Sequence, residues 1–474
     1  MPLISGDFTV FEDETYTASG TVFTFDTLSY VLFLNLGQII ATGSLSESAR
    51  AFSSSNGFGL IDNRGLVSST SDSGDAYGLS SGDWNPDITN SGTWAVRATG
   101  WAYGVETWSP GNRVTNDGEW IVNGGSGAVG MMFVNPATVV NNQDIIVSAT
   151  GPATGVTIMR FDNDVFTNNG SITVTGSTSV ALSLTGLALA APTAPTIINT
   201  GSITAQTAIF CWNQFSPPQE KIDWLFNTGT INGLIDLGLG NDQIDNQGVI
   251  NGDVFTYVGA DVIDTSTGFI SGVVYLGDGN DEFRGGAQGQ VVFGGLGNDL
   301  LNGGDGDDEF YGENAVDTLN GGGGDDYLSG GSAPDTIHGG AGADTLIGGS
   351  GADALDGGSG TDTASYAGST SVTVRLWNGT GSGGDAQGDT LTGIENLIGS
   401  ANNDTLIGAD AIANVLDGGT GNDYLAGLSG NDTLIGGAGA GHPRRRRAPM
   451  CLTAALDIDT ASYAGSTSVT VKLE

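Results

Sequence analysis

The sequence predicts an all-β chain: an N-terminal parallel β-solenoid with rungs of about 26 residues, continuing into a C-terminal solenoid of much shorter units. Three observations predict it. Two turn signals recur in constant phase through the first half, and the segments between them alternate apolar and polar residues. The second half repeats a glycine-aspartate signal every nine residues. Glycine is abundant, 80 of 474 residues, and periodicity separates a repeat fold from a low-complexity tail.

The first turn signal is Asn-x-Gly with an apolar residue four positions after the Asn. It occurs at Asn63/Val67, Asn90/Trp94, Asn116/Trp120, Asn168/Ile172, Asn199/Ile203 and Asn227/Ile231. A degenerate copy is expected at Asn142/Ile146, with Asp144 in place of the glycine. The second signal, Ala-x-Gly-apolar, starts at Ala76, Ala102, Ala128 and Ala153. Runs such as Ile172-Thr173-Val174-Thr175 read as strands. A unit this small cannot bury its own apolar face, whereas stacked copies can. Asn suits the turn because it tolerates the left-handed conformation and can bond along a stack of like residues. Trp94 and Trp120 share a register and are expected to stack inside the core.

From Asn227 the unit shortens to about 19 or 20 residues. Ile231-Asn232-Gly233, Ile250-Asn251-Gly252 and Ile270-Ser271-Gly272 each lead to a glycine-Asp signal ending at Asp242, Asp261 and Asp281. No Pro- or Ser-rich linker intervenes, which predicts one solenoid whose rung narrows.

Eight consecutive nonapeptides run from Gly294 to Ser365. Position six is Asp299, Asp308, Asp317, Asp326, Asp335, Asp344, Asp353 and Asp362. Position eight is apolar throughout, from Leu301 and Phe310 to Leu355 and Ala364. It is expected to end a short strand, point inward and form the only core. A flexible glycine-rich tail explains the composition but not an invariant aspartate at period nine. The pattern suits Ca²⁺, a hard cation that takes six to eight oxygens from carboxylates and carbonyls. Glycine lets a turn fold tightly enough to aim several carbonyls at one point.

This array resembles the RTX, or hemolysin-type calcium-binding, repeat family. The resemblance implies a parallel β-roll with two nonapeptides per turn and several Ca²⁺ ions between stacked turns. Asp308, Asp326, Asp344 and Asp362 would line one edge, and Asp299, Asp317, Asp335 and Asp353 the other, with Asp281 a further candidate ligand. The family's ligand pattern would add backbone carbonyls of the glycine turns at Gly304, Gly306, Gly322, Gly324, Gly340, Gly342, Gly358 and Gly360. The edges differ. The Asp308 edge keeps Gly-Gly-x-Gly at every turn. The other carries Gly312-Glu313-Asn314-Ala315 and Gly330-Gly331-Ser332-Ala333, followed by Pro334. The Asp308 edge is therefore expected to bind calcium more tightly.

After Ser365, Tyr366 to Val374 reads as strands, followed by the connector Asp389-Thr390-Leu391-Thr392-Gly393-Ile394-Glu395-Asn396-Leu397, which also looks RTX-like. A second array resumes with Asp404, Asp423 and Asp432. Its 408–417 unit is ten residues long, with Ala413 where an aspartate is expected. Thr363–Leu376 recurs at Thr460–Leu473 with Arg375 changed to Lys472, so the chain is expected to stop as a further module begins. Between them His442-Pro443-Arg444-Arg445-Arg446-Arg447 fits nothing around it. It reads either as a basic docking or processing site or as local frame slippage. The predicted organisation is a solenoid over 1–226, hybrid rungs over 227–275, a first array over 276–365, a connector over 366–398, a second array over 399–440 and an irregular end over 441–474.

With 53 acidic and 13 basic residues the formal charge is −40, so a basic surface for nucleic acid is missing. Cys211 and Cys451 cannot make a disulfide framework. Residues 1–49 hold no Lys or Arg, so the basic start of a signal peptide is absent, and no apolar stretch is long enough to span a membrane. The histidines are His338 and His442, which leaves Gly78-Leu79-Ser80-Ser81-Gly82 without a triad partner. Asp162 and Asp164 form a candidate carboxylate pair, against a solvated-turn alternative. Trp84, Trp94, Trp101, Trp108 and Trp120 offer a sugar-stacking platform or, alternatively, rung-core aromatics.

The expectation is a secreted, non-enzymatic calcium-binding protein of surface or adhesive type. The resemblance implies export by type I secretion machinery and folding outside the cell, with cell-surface or matrix polysaccharide as a candidate partner. The alternative is an extracellular polysaccharide-modifying enzyme with an RTX accessory domain.

Overall fold

The computed structural model describes residues 3–4, 8–10, 14–19, 21–26, 32–43, 49–56, 60–81, 87–108, 112–134, 137–160, 165–186, 196–212, 223–437, 451–454, 460–462 and 470–473. Asp162, Asp164, Trp84, Gly82 and the basic segment around His442 lie outside them. The chain is all β, as the repeats predict, with no α-helix among the described residues. It divides into two compact units: residues 1–259 with 268–272, and residues 260–267 with 273–474.

In the first unit each rung contributes three parallel strands. One rung is Asp87–Asn90, Thr93–Ala98 and Trp101–Thr107, and the next is Asn112–Asn116, Glu119–Gly124 and Gly127–Phe133. Corresponding strands pair in register, Thr93 opposite Glu119 and Ala102 opposite Ala128. Period-two alternation sends Trp94 and Val96 inward and leaves Thr93 and Ala95 half-buried. Trp94 and Trp120 are fully buried, with ring centroids 4.9 Å apart and planes within 2°. The glycine of the Ala-x-Gly signal makes room for these rings. A methyl group at Gly78 or Gly104 would strike the indole of Trp94 or Trp120. Trp101 is half-buried and Trp108 is 54% exposed, so the tryptophans divide between core and surface.

The turn asparagines form one buried ladder. Each side-chain amide donates to the Oδ1 of the next, from Asn35 through Asn63, Asn90, Asn116, Asn141, Asn168, Asn199 and Asn227 to Asn246, at 2.6–2.8 Å. The degenerate copy is corrected here. Asn141, not Asn142, is the ladder member, and Ile145, not Ile146, faces the core opposite Trp120 and Ile172. Narrowing also has a structural cause. Strand Ser202–Trp212 pairs with both Ser171–Thr175 and Ser179–Gly186, so two strand positions fuse into one.

The second unit is a β-roll of two strands per turn. One sheet stacks Val291–Leu296, Glu309–Asn314, Tyr327–Ser332 and Thr345–Ser350. The other stacks Leu300–Asp305, Thr318–Gly323, Thr336–Gly342 and Ala354–Gly360. Leu301, Leu319 and Ile337 face Phe310, Leu328 and Leu346 across an interior where all six are fully buried. These position-eight residues sit second in their strands, not at the end, because the strand continues into the next glycine pair. Beyond Ser365 the expected run of strand is broken. Only Thr363–Ser365 and Thr373–Arg375 are extended, and Tyr366–Ser371 is a turn. Thr373–Arg375 and Thr380–Ser382 form an antiparallel pair.

Candidate metal centre

The position-six aspartates form two ladders, one along each edge of the roll. On the first edge the backbone N–H of Gln290 donates to Asp308 Oδ1 at 2.7 Å, Asp308 to Asp326 at 2.8 Å, Asp326 to Asp344 at 2.9 Å and Asp344 to Asp362 at 2.9 Å. On the second, Asp261 donates to Asp281 at 2.7 Å, Asp281 to Asp299 at 2.9 Å, Asp299 to Asp317 at 2.8 Å, Asp317 to Asp335 at 2.8 Å and Asp335 to Asp353 at 2.9 Å. The edge membership implied by the resemblance is therefore the one found. The second array repeats the bond from Asp404 N–H to Asp423 Oδ1 at 3.0 Å and from Asn414 N–H to Asp432 Oδ1 at 3.0 Å.

Asn414 corrects the reading of the ten-residue unit. The extra residue is absorbed in the turn, where Ala411 takes a φ of 60°, so Asn414 rather than Ala413 reaches the ladder position. Further ladder members were missed, among them Asp242, whose Oδ1 accepts the Asp223 N–H at 2.7 Å. Asp261 precedes the nonapeptides, and Asp389 and Glu395 stand 36 and 33 residues beyond their partners Asp353 and Asp362. No nine-residue periodicity marks them.

One oxygen of each carboxylate is thus committed to the chain. The other is not. Oδ2 of Asp281, Asp299, Asp308, Asp317, Asp326, Asp335, Asp344, Asp353, Asp362 and Asp423 is buried and accepts no hydrogen bond. A buried, half-satisfied carboxylate is costly as an anion. Burial pushes Asp308, Asp317 and Asp335 up to about 7, and Asp299, Asp344, Asp353 and Asp423 up to about 6. The ladder N–H opposes the shift, and neighbouring aspartates add to it for Asp308 and Asp317.

Glycines complete the setting. Position-one glycines leave room for the carboxylate: a methyl group at Gly303, Gly321 or Gly339 would strike Asp308, Asp326 or Asp344. At positions two and four, Gly304, Gly306, Gly322, Gly324, Gly340, Gly342, Gly358 and Gly360 all have φ between 94° and 147°. A methyl group on Gly322 or Gly340 would meet the carbonyl oxygen of Gly304 or Gly322, one turn back. Carbonyl and carboxylate oxygens therefore recur together at each turn. Among the described residues no three His, Cys, Asp or Glu side chains converge on one point. A site here must mix one carboxylate per turn with carbonyls, which suits a hard oxygen-seeking cation and not zinc.

Ser80 is half-buried on a strand of the first unit, and His338 lies in the roll, on its surface 3.5 Å from Asp356. Among the described residues no helix is long and apolar enough to cross a membrane.

Residues 293–328, 329–364, 389–411 and 409–442 match four copies of the RTX calcium-binding nonapeptide repeat. The C-terminal region therefore carries RTX calcium-binding repeats. No curated protein matches the chain.

Proposed function

We propose that this is a secreted, non-enzymatic calcium-binding protein whose roll folds when calcium is supplied outside the cell. The observation that carries the reading is the repeated buried Oδ2 with no hydrogen-bond partner along both edges. When bound, Ca²⁺ supplies the positive charge that these oxygens lack. The aspartates and the carbonyls of the position-two and position-four glycines would hold it. Without it, stacked carboxylates repel and burial penalises each one, which favours the unfolded chain. Extracellular calcium modules commonly bind at about 10⁻⁴–10⁻³ M, so the arrays stay open inside a cell and close outside it.

We also propose export by a type I system, a reading supported by the RTX repeats and by this need to remain unfolded before release. We further propose an adhesive or structural role for the first unit. One outward row stacks the polar residues Thr70, Arg97, Asn123, Ser148 and Thr175, which suits a repeating polymer such as matrix polysaccharide.

The test is a calcium titration of the full chain followed by circular dichroism, with magnesium as control. A cooperative, calcium-specific gain of β-structure, reversed by chelator, is expected. No change with calcium would overturn the folding-switch reading. Cleavage or epimerisation of alginate or pectin by the purified chain would overturn the non-enzymatic one.

A further inference from the structure

We propose that residues 363–414 form a metal-independent clasp that ends both aspartate ladders of the first array and starts the second. The inference rests on the calcium reading of the arrays. Within the first array the second carboxylate oxygen is left for a cation. At Asp389 and Asp404 of the clasp the chain itself satisfies it.

Asp353 N–H donates at 3.0 Å to Asp389 Oδ1, and the hydroxyl of buried Tyr366 donates to Asp389 Oδ2 at 2.9 Å. The other edge ends differently, with Asp362 N–H donating to Glu395 Oε2 at 2.9 Å. Where the second array begins, Asp404 Oδ2 accepts the Ser400 N–H at 2.6 Å, and the Ser400 hydroxyl lies 3.0 Å from both carboxylate oxygens. Asn414 replaces a carboxylate with a neutral amide. Its Oδ1 accepts the Ala409 N–H at 2.9 Å, and its Nδ2 donates to the Glu395 carbonyl at 2.7 Å. The Asp353 ladder therefore closes on a hydroxyl, and the second array opens on a hydroxyl, a backbone N–H and an amide, instead of on an ion.

The clasp also buries apolar side chains that extend the inward rows of the roll. Nonapeptides contribute one large inward residue each, whereas the connector buries Val372, Val374, Ala386, Leu391, Ile394 and Leu397, of which Leu391 lies opposite Leu355, Leu397 opposite Ala364 and Val374 opposite Leu406. Buried apolar side chains beside satisfied polar groups need no counter-charge to fold. The clasp is thus a preformed end against which calcium-dependent turns stack.

Hydrogen exchange by mass spectrometry on the full chain tests this, in chelator and then in calcium. In chelator, amides of 363–414 are expected to exchange more slowly than those of 294–362, and calcium is expected to slow the latter. Equal exchange of the two segments in chelator would overturn the clasp, whatever calcium then does. A protected clasp beside an array that calcium fails to slow would overturn the calcium reading and leave the clasp standing. Tyr366→Phe removes one hydroxyl and is expected to speed exchange of 363–414 in chelator about tenfold or more. Asp326→Asn is expected to leave that exchange unchanged and to weaken calcium protection of its own edge. A Tyr366→Phe protein indistinguishable from the parent in chelator would sink the assignment.

Discussion

Left-handed backbone is where the two edges of the roll differ at the scale of single residues. At positions two and four of the turn the Asp308 edge always places glycine, whereas the other edge holds Glu313 at φ 76°, Ala315 at 74° and Ala333 at 85°. A side chain in that conformation costs about 1 kcal/mol or more relative to glycine. Because the strained turn forms only in the folded roll, calcium binding on that edge must offset the strain. Ala333→Gly is therefore expected to stabilise the calcium-loaded roll by about 1 kcal/mol, read as a lower calcium midpoint. The complementary comparison is Asp326→Ala against Asp335→Ala by calorimetry. Loss at Asp326 should exceed loss at Asp335, and comparable losses would count against the asymmetry.

Strand stacks of the first unit depend on the asparagine ladder. Asn116 accepts from Asn90 and donates to Asn141, both at 2.8 Å, with all three buried. Asn116→Ala leaves the Oδ1 of Asn141 without its donor and should cost about 2–4 kcal/mol. Asn142 instead bonds Asp117 and Asn169 at the surface, so Asn142→Ala should stay within about 0.5 kcal/mol. Urea midpoints of the calcium-independent transition separate the two, and equal costs would contradict the register. This is also where sequence reading met its limit. Recurring Asn-x-Gly signals marked the rungs because a shared turn demands a shared residue. At Asn141-Asn142 the glycine is missing and two asparagines compete, and a one-residue slip sends every side chain to the other face. The usable signal was the alternation in Ile145-Ile146-Val147: Val147 is buried, so Ile145 is too. Aspartate ladders in the roll were legible for the opposite reason, since a nine-residue period with a fixed aspartate leaves no second register. Asp389 and Glu395 were not legible as ladder ends, because hydrogen bonds 36 and 33 residues long follow from tertiary closure and not from local pattern, and Asn414 was hidden by the extra residue in its turn.

Charge acts on the whole molecule, which carries 53 acidic against 13 basic residues and buries many of the acids in the roll. Unfolded aspartates titrate near 3.9. In the folded, calcium-free roll, burial raises Asp308 and Asp317 to about 7 and Asp344 and Asp353 to about 6. A folded pKa above the unfolded one means that the folded state holds more protons. Its stabilising contribution is complete below about pH 4 and is lost as pH rises through about 6 to 7. Without calcium, β-structure of the roll should therefore melt out as pH is raised from about 5 to 8. Calcium reverses the dependence, because it needs the same oxygens deprotonated. Its affinity should rise over that window, with protons released on binding near pH 6.5, within the range of about 6 to about 7 found for these carboxylates. Thermal melts with and without calcium read the first effect, and calorimetry in two buffers of different ionisation enthalpy reads the second. A calcium-free roll that grew more stable toward pH 8, or binding that released no protons, would mean that these aspartates are ionised and satisfied without a cation. Proton and calcium are thus competitors for one set of oxygens, and acid should substitute for calcium as a trigger of folding.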